Sequence, residues 1–333
     1  MSITLNNIKQ AVFSIRGEED FNVVALKVFR YQAEQNKVYK RFLELIGCKV
    51  AEVEHYSEVP FLPIQFFKSL DVITGNAPVE KVFKSSGTTA TGRSRHLVTD
   101  WEVYRTSFTR GWEYFYGDIE NYVVLALLPN YLEQGESSLV YMVDNLMRLS
   151  NDKRSGYCLD SLENTARLLN DLSQQKDKKV LLIGVSYALL DLIEQFDFEL
   201  GNNVVIMETG GMKGRRKELT KAELHRVLKK GFGVDAIHSE YGMTELLSQA
   251  YSKGNGIFET PPWMRVLVRD VNDPLSFRNK KKSGGINVID LANVNSCSFI
   301  ATQDLGKLYE GNKFEILGRF DYSDVRGCNL LIS

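Results

Sequence analysis

The spacing of apolar positions changes twice along the chain. Residues 6–46 carry apolar side chains at helical spacing, which predicts two or three amphipathic helices. The central part alternates short apolar runs with helical patterns, and from about residue 255 the pattern is typical of antiparallel strands and turns. The predicted central strands cover 121–129, 180–184 and 203–211, and the predicted helices cover 100–117, 136–149, 161–174, 187–196 and 220–230. We therefore expect an α/β fold with a mainly parallel sheet covered on both faces, in which ligands bind where the strands end.

Composition narrows the class of protein without choosing an activity. A chain of 333 residues with 44% apolar and 25% charged residues can bury a sizeable core, as one large domain or two ordinary ones. Its 41 lysines and arginines against 42 acids leave a net charge of −1, which gives no reason to expect nucleic-acid binding. The 4 cysteines form no C-x-x-C pair, the N-terminus lacks a secretory signal, and the apolar runs are too short to span a bilayer. We expect a cytoplasmic protein with no membrane span.

A run of small polar residues interrupts the apolar pattern before the central strands. It consists of Ser85, Ser86, Gly87, Thr88 and Thr89. Small hydroxyl residues around a glycine let the backbone approach an anion and offer it N–H and O–H donors. Arg93 and Arg95 add positive charge with a geometry suited to phosphate oxygens. The run is not a P-loop, because no lysine follows Gly92. It is either a nucleotide phosphate loop or a polar hairpin turn between two strands.

Three later segments carry small, polar and charged residues that could bind a nucleotide. Gly210 and Gly211 close one strand and would let a planar ligand approach the backbone. The segment 238–245 holds an aromatic ring, a hydroxyl and a carboxylate that could stack on a base, donate to a phosphate and hold Mg²⁺. Asp304 and Arg319 could clamp ribose hydroxyls from neighbouring strands. Each segment by itself is also typical of a turn or of solvated charges at a strand end.

A second chemistry competes for the same strand ends. Residues 184–188 read G-V-S-Y-A between a strand and a helix, which imitates the nucleophile elbow of α/β-hydrolases with alanine in the last position. Asp235 and His238 follow Ser186 in the order of a catalytic triad. This alternative is an acyltransferase or esterase with Ser186 as the nucleophile, and it leaves the other segments unexplained. The four histidines show no metal-ligand spacing, and His225, on a Lys/Arg-rich helix face, is expected to be solvated.

In this order, the segments resemble the motifs of the adenylate-forming superfamily of acyl-CoA synthetases, nonribosomal peptide adenylation domains and firefly luciferase. The matching segments are SSGTT, the glycine pair, YGMTE, TQD and GRFD, and they span about residues 60–321. The short length, the phrasing FKSSGTT…SRH and the run GGMKGRRKEL most resemble the acyl-protein synthetase family, with phenylacetate-CoA ligases as more distant relatives. The resemblance implies a helical segment at 1–58, an adenylate-forming large domain at 59–318, and a hinge with a C-terminal stub at 319–333.

The same resemblance implies a role for each matched residue. Those matched to the site for the ATP phosphates are Ser85, Ser86, Gly87, Thr88 and Thr89, with Arg93 or Arg95 in place of the usual lysine. Those matched to the adenine and ribose sites are Gly210, Gly211, Tyr241, Asp304 and Arg319. Thr244 would contact the α-phosphate and Glu245 would hold Mg²⁺, while His238 is expected to face the carboxylate of the acid.

The implied reaction is ATP-dependent activation of a carboxylic acid, fatty or other, to an acyl-adenylate. The acyl group would then pass to a thiol or another acceptor, such as coenzyme A, a carrier protein or an acceptor protein. Catalysis in such chemistry is positioning plus charge neutralisation. The sequence ends twelve residues after Asp321, so the superfamily's small C-terminal lid domain, which carries a catalytic lysine, is expected to be truncated or absent. Cys328 is then either an acyl carrier or a structural residue, and a nucleotide or acyl binder without catalysis is a further alternative.

Overall fold

Three helices open the protein and confirm the helical pattern of the first fifty residues. They are α1 (Leu5–Val12), α2 (Glu18–Gln35) and α3 (Lys37–Leu45). Helix α3 begins where it does because the Asn36 side chain accepts a hydrogen bond from the Tyr39 N–H, which satisfies a free donor of the first turn. The computed structural model describes residues 5–86, 92–129, 135–158, 161–211, 216, 219–271, 273, 276 and 283–320.

A short connection leads from these helices to a two-stranded hairpin. The connection contains β1 (Leu62–Pro63) and α4 (Phe66–Ser69), and the hairpin consists of β2 (Lys81–Lys84) and β3 (Arg95–Val98). Lys84 pairs with Arg95 in antiparallel register, so the small polar run that starts at Ser85 falls between the two strands. Helix α4 packs on β3 through Phe67, whose ring meets the His96 ring edge-on at 5.9 Å between centroids.

The central part forms a six-stranded sheet flanked by helices, as the alternating pattern predicts. Its elements are α5 (Trp101–Tyr116), β4 (Tyr122–Leu127), α6 (Ser138–Ser150), β5 (Gly156–Tyr157), α7 (Leu162–Gln175), β6 (Lys179–Val185), α8 (Ser186–Gln195), β7 (Val204–Thr209), α9 (Lys221–Phe232), β8 (His238–Tyr241) and β9 (Ala250–Ser252). The strand order is β5-β4-β6-β7-β8-β9, and every pair is parallel except β8 with β9. Strands β4 and β6 are almost wholly buried, because a parallel sheet is covered on both faces.

The last part of the described chain forms a second sheet, which confirms the predicted antiparallel strands. Its strands are β10 (Ile257–Phe258), β11 (Met264–Arg269), β12 (Ser283–Asp290), β13 (Phe299–Leu308) and β14 (Phe314–Arg319). They are ordered β10-β14-β13-β12-β11 with antiparallel pairing, and β1 adds to β13 in parallel. The molecule therefore combines one mainly parallel and one mainly antiparallel sheet.

The N-terminal helices pack on the antiparallel sheet. The buried Gln32 amide donates to the Asn293 carbonyl at 2.9 Å, and the Asn36 amide donates to the Ser296 carbonyl at 2.8 Å. The Phe29 and Tyr39 rings of these helices lie 5.9 and 6.2 Å from the Phe299 ring. These helices therefore share a buried core with the rest of the chain, and a domain boundary at residue 58 stays a prediction.

The carboxyl ends of β6, β7 and β8 meet at one edge of the parallel sheet. Three of the sequence segments lie there: the turn into α8 after β6, the glycine pair after β7 and the YGMTE segment after β8. No helix among the described residues is both long and apolar enough to cross a membrane.

Candidate active site

The β2–β3 hairpin holds its polar turn by contacts of Ser85 and Ser94. The backbone N–H of Ser85 donates to the Ser94 carbonyl, and the Ser94 N–H donates to the Ser85 hydroxyl, each at 3.0 Å. Arg93 donates to the Ser85 carbonyl and approaches Glu136 to 3.8 Å. Ser86 is exposed beside them, while the candidate phosphate ligands Gly87, Thr88 and Thr89 lie outside the described residues.

The side chain of Arg95, the other arginine of this hairpin, pairs with an acid outside the hairpin. Arg95 forms an ion pair with Asp71 at 2.8 Å, and both side chains are exposed. The next residue, His96, faces the opposite side of β3 and is buried, because successive side chains of a strand alternate between its faces. Of the two arginines proposed in place of the lysine, Arg93 therefore lies closer to the turn.

His96 connects this hairpin to the YGMTE segment. Its Nδ1 lies 2.9 Å from the Thr244 carbonyl oxygen. Burial lowers the pKa of His96 to about 4, so the ring is neutral at physiological pH. Since a carbonyl only accepts, Nδ1 carries the proton and donates it to Thr244. Thr244, the candidate contact of the α-phosphate, is thereby hydrogen-bonded to the hairpin that carries the candidate phosphate loop.

Glu245 is the buried carboxylate of the site. Only 6% of the residue is exposed, and burial raises its pKa, although a hydrogen bond with Ser94 opposes this shift. Among the residues that the structure describes, no lysine, arginine or histidine forms an ion pair with it. A buried carboxylate without a cationic partner is a suitable ligand for a hard metal ion. The groups of three or more His, Cys, Asp and Glu that a metal site of protein ligands alone would need do not occur in the described part.

Tyr241, Asp304 and Arg319 form a chain of contacts between the two sheets. The Tyr241 hydroxyl donates to Asp304 Oδ2 at 2.8 Å, and Arg319 Nε lies 3.2 Å from Asp304 Oδ1. Asp304 and Arg319 are register partners on β13 and β14. Burial raises the pKa of Asp304, and the Arg319 guanidinium opposes that shift. The two residues assigned to ribose thus lie together, beside the one assigned to the adenine ring.

A buried polar network, which the sequence did not predict, contacts the glycine pair through the Gly210 carbonyl. The Ser186 hydroxyl lies 3.2 Å from Glu208 Oε2 and 3.3 Å from the Gly210 carbonyl. Glu208 Oε1 also contacts the Lys221 ammonium and, at 3.4 Å, His225 Nε2. Burial alone would raise the pKa of Glu208, but Lys221 and the hydrogen bonds from His225, Lys221 and Ser239 hold it at about 2. We call Ser186, Glu208, Lys221 and His225 the Glu208 network.

The sequence-based expectation that His225 is solvated is wrong, and the role expected of His238 stays a prediction. His225 is not solvated but 6% exposed, because it lies on the same face of α9 as Lys221, one turn earlier, and that face packs over Glu208. His238 does not lie at the carboxyl edge: it begins β8, at the opposite end of that strand from Tyr241. There its Nδ1 is hydrogen-bonded to the Tyr116 hydroxyl at 3.1 Å, and burial lowers its pKa to about 4.

The nucleophile-elbow alternative lacks, among the described residues, a histidine that could act as the general base for Ser186. Ser186 does follow a strand and open a helix, but its hydroxyl contacts a carboxylate and a carbonyl. His225 bonds to Glu208 and Ser239, and His238 bonds to Tyr116, so neither activates Ser186 in the described geometry. The hydrolase mechanism therefore has no support here.

Known structures share this fold. ATP-bound MatB from Rhodopseudomonas palustris is 19% identical with a TM-score of 0.55, and the match covers 74% of this chain and 49% of that one. An open conformation of 2-hydroxyisobutyryl-CoA ligase in complex with 2-HIB-AMP and CoA is 12% identical with a TM-score of 0.64, over 92% of this chain and 72% of that one. The chain thus spans about half the length of the MatB structures it matches. These likenesses confirm the predicted adenylate-forming fold.

Sequence comparison assigns the family. No curated protein matches the chain. The sequence profile described as "Acyl-protein synthetase, LuxE" matches residues 13–333, which is nearly the whole length. This match agrees with the order of motifs and with the contacts that join the β2–β3 hairpin, the YGMTE segment, Asp304 and Arg319. The chain belongs to the LuxE acyl-protein synthetase family.

Proposed function

We propose that this protein uses ATP to activate a carboxylic acid, fatty or other, as an acyl-adenylate with release of pyrophosphate. The acyl group then passes to a thiol or another acceptor, which makes the enzyme an acid–thiol ligase or acyl-protein synthetase. Membership of the LuxE family and the fold of acyl-activating ligases support this reaction class.

One observation carries the proposal: three contacts connect the motif segments, and two of them join segments that lie far apart in sequence. His96 joins the β2–β3 hairpin to Thr244, Tyr241 joins the YGMTE segment to Asp304, and Asp304 joins TQD to Arg319. A nucleotide needs its phosphates, base and ribose held at the same time, and such a convergence supplies donors and acceptors for all three. A set of unrelated turns would not need these contacts.

Within this proposal, the hairpin and the YGMTE segment divide the work on the phosphates. Ser85, Ser86 and Arg93 would bind the β- and γ-phosphates, together with residues 87–89 of the same run. The Thr244 hydroxyl would donate to the α-phosphate, on which the acid's carboxylate attacks. Arg319, with a side chain 74% exposed, is free to move onto the nucleotide while Asp304 accepts from the ribose hydroxyls.

Magnesium fits the site through Glu245. The carboxylate is buried, and burial raises its pKa although the charge of Arg319 opposes the shift, so a bound cation would further stabilise the ionised form. A single carboxylate is enough, because Mg²⁺ is commonly bound by one or two carboxylates together with substrate phosphates and water. When bound, the ion would neutralise charge on the phosphate oxygens as pyrophosphate leaves. Ser94, which hydrogen-bonds Glu245, would hold the carboxylate toward the hairpin.

The acceptor is proposed by analogy with the neighbours. One neighbour is described with an acyl-adenylate and CoA bound, which makes coenzyme A one candidate. A carrier protein, an acceptor protein or Cys328, which lies outside the described residues, are the others. Each acceptor would attack the same acyl-adenylate, so the first half-reaction can be tested alone.

Carboxylate-dependent exchange between ATP and labelled pyrophosphate tests the proposal. We expect exchange with at least one member of a panel of fatty, aryl and hydroxy acids, and a loss of about 100-fold or more in Glu245→Gln. Glu310→Gln, in an exposed turn of the antiparallel sheet, is the matched control and should retain full exchange. If ATP binds but no acid supports exchange, the protein is a nucleotide or acyl binder and the proposed reaction is wrong.

A further inference from the structure

Two consecutive backbone carbonyls of the YGMTE segment each accept a hydrogen bond from a buried side chain that takes no part in the proposed reaction. His96 Nδ1 donates to the Thr244 carbonyl at 2.9 Å. Asn293 Nδ2 donates to the next carbonyl, that of Glu245, at 2.7 Å. Both side chains are almost fully buried, so water does not compete for these carbonyls.

The two donors come from opposite sides of the site. His96 lies on β3, two residues after Ser94, which itself hydrogen-bonds Glu245. Asn293 lies in the turn between β12 and β13, and its Oδ1 also accepts from the Leu247 N–H at 3.1 Å. The dipeptide Thr244–Glu245 is therefore braced between the β2–β3 hairpin and the antiparallel sheet.

The geometry of a peptide explains why two carbonyls matter. The Thr244 and Glu245 carbonyls belong to the two peptide planes that flank the Cα atom of Glu245, and each plane is rigid. Holding both planes restricts the direction of the Cα–Cβ bond of Glu245, and the hydrogen bond with Ser94 holds the carboxylate at the other end of the side chain. The donors are a neutral imidazole and an amide, so they orient the carboxylate without adding charge that would compete with a cation.

We propose that His96 and Asn293 are positioning residues that orient Glu245, and the metal ion it would hold, toward Ser94 and the β2–β3 hairpin. This proposal rests on the proposed function, since it assumes that Glu245 serves a metal–nucleotide complex. Neither residue touches substrate. Their effect is expected on the metal dependence of the first half-reaction rather than on recognition of the acid.

A matched pair of variants at His96 tests the donor. His96→Leu fills the space without a donor, whereas His96→Asn places an amide N–H close to the position of Nδ1. In pyrophosphate exchange, we expect His96→Leu to lower kcat by about 30-fold or more, because small misplacements of reacting groups have such effects. The Mg²⁺ concentration for half-maximal exchange should rise about fivefold or more, while the KM for the acid stays within about twofold. His96→Asn should recover most of both losses.

Asn293→Asp tests the second donor without changing the shape of the side chain. It replaces the amide N–H by an oxygen that faces the Glu245 carbonyl, so the same rise in the Mg²⁺ requirement is expected. Phe232→Leu, at the end of α9 in the core far from Glu245, is the control for general loss of stability. It should lower the melting temperature and leave the Mg²⁺ requirement unchanged.

The outcomes separate this proposal from the proposed function. If the wild-type protein exchanges pyrophosphate but the His96 and Asn293 variants keep its Mg²⁺ requirement, the positioning role is wrong and the function stands. If His96→Asn behaves as His96→Leu does, packing rather than the donor matters, and the proposal is likewise wrong. If the wild-type protein shows no exchange with any acid, the proposed function fails and the positioning role fails with it.

Discussion

Each of the two sheets ends in a buried carboxylate that holds a loop of the candidate site, and the two carboxylates are stabilised in different ways. Glu208, near the end of β7, is paired with the Lys221 ammonium and His225, and its pKa is lowered to about 2. Asp290, at the end of β12, is surrounded by neutral donors, and burial raises its pKa.

The neutral donors around Asp290 are numerous. Oδ2 accepts from the Leu247 and Ser248 N–H groups, each at 2.8 Å. Oδ1 accepts from the Ser248 hydroxyl at 2.6 Å and from the Ala292 N–H at 3.1 Å. These groups belong to the chain just after the YGMTE segment and to the β12–β13 turn. Asp290 therefore fixes the path of the backbone on either side of the brace formed by Asn293.

The comparison shows that a buried carboxylate can be held by opposite charge, as at Glu208, or by hydrogen bonds from neutral donors, as at Asp290. Around Glu208, opposite charge offsets the cost of burial, and Lys221 is partly exposed, so the network can adjust if one partner is lost. None of the hydrogen bonds described for Asp290 comes from a cation, and four donors share this one side chain, with the Leu247 N–H also bonded to Asn293. We expect the second arrangement to be the less tolerant of substitution.

Loss of the Asp290 acceptor should have the largest effect on stability. Asp290→Ala removes one acceptor from four donors, of which the Leu247 N–H keeps its hydrogen bond to Asn293 Oδ1, and we expect the free energy of unfolding to fall by about 4 kcal/mol. Asp290→Asn keeps one acceptor oxygen and should cost about half as much. Denaturant unfolding at pH 7 measures both values, with Asp235→Asn on an exposed loop as the control within about 0.5 kcal/mol. A loss below about 1 kcal/mol for Asp290→Ala would contradict the comparison.

Glu208→Gln should have a smaller effect on stability, and this effect should depend on pH. At pH 7 we expect a loss of about 3 kcal/mol, since the pKa falls from 4.5 to about 2 on folding. A carboxyl whose pKa is lowered in the folded state stabilises the protein above the unfolded value, and this contribution disappears as the pH falls through the folded value. The wild type and the variant should therefore converge between pH 4.5 and about 2.

Unfolding curves of both proteins across this pH range measure the effect. Glu163→Gln, in the exposed first turn of α7, is the control and should keep a constant offset from the wild type. A difference for Glu208→Gln that is independent of pH would mean that Glu208 acts through its shape alone.

The same contrast shows how much the sequence can predict. Periodicity placed the central helices and strands to within a few residues, because a strand buried on both faces and a helix with one apolar face leave different patterns. The resemblance of the motifs assigned Tyr241, Asp304 and Arg319 to one nucleotide site, and in the structure Asp304 contacts both of the others. The partners of Glu208 were missed, because periodicity places His225 on a helix but does not say which strand end lies beneath it. An i, i+4 pair such as Lys221 and His225 was the available signal.

Residues that act through the backbone are harder still to predict. His96 and Asn293 donate to carbonyls, and every residue has a carbonyl, so no pattern of side chains marks their targets. Asp290 follows the apolar run INVI in the part of the sequence that is typical of antiparallel strands, and nothing in that pattern gives it a role. Its significance depends on β12 ending beside residues 247 and 248, which lie more than forty positions away. Only the tertiary fold determines that contact.

Glu240 offers the smallest predicted effect and the finest test of the comparison. It lies on β8 beside the Glu208 network, with Thr209 donating its hydroxyl to the carboxylate. Burial raises its pKa to about 7, and the charge of Glu208 adds to the shift, while the Thr209 hydroxyl and Lys221 oppose it. Because this folded value is above the unfolded one of 4.5, the wild type loses stability as the pH rises from 4.5 to about 7, where the unfolded state ionises and the folded state does not. The loss levels off above about 7.

Glu240→Gln cannot ionise, and its amide oxygen can still accept from Thr209. We expect its stability relative to the wild type to rise by about 2 kcal/mol between pH 5 and pH 7, with little further change at pH 8, in thermal or denaturant unfolding. The Glu208→Gln background then sharpens the test: without the neighbouring charge, the pKa of Glu240 should fall, and the gain at pH 8 should shrink. If the gain is unchanged in that background, the two carboxyls do not interact, and Lys221 neutralises Glu208 so completely that its charge does not reach the next strand.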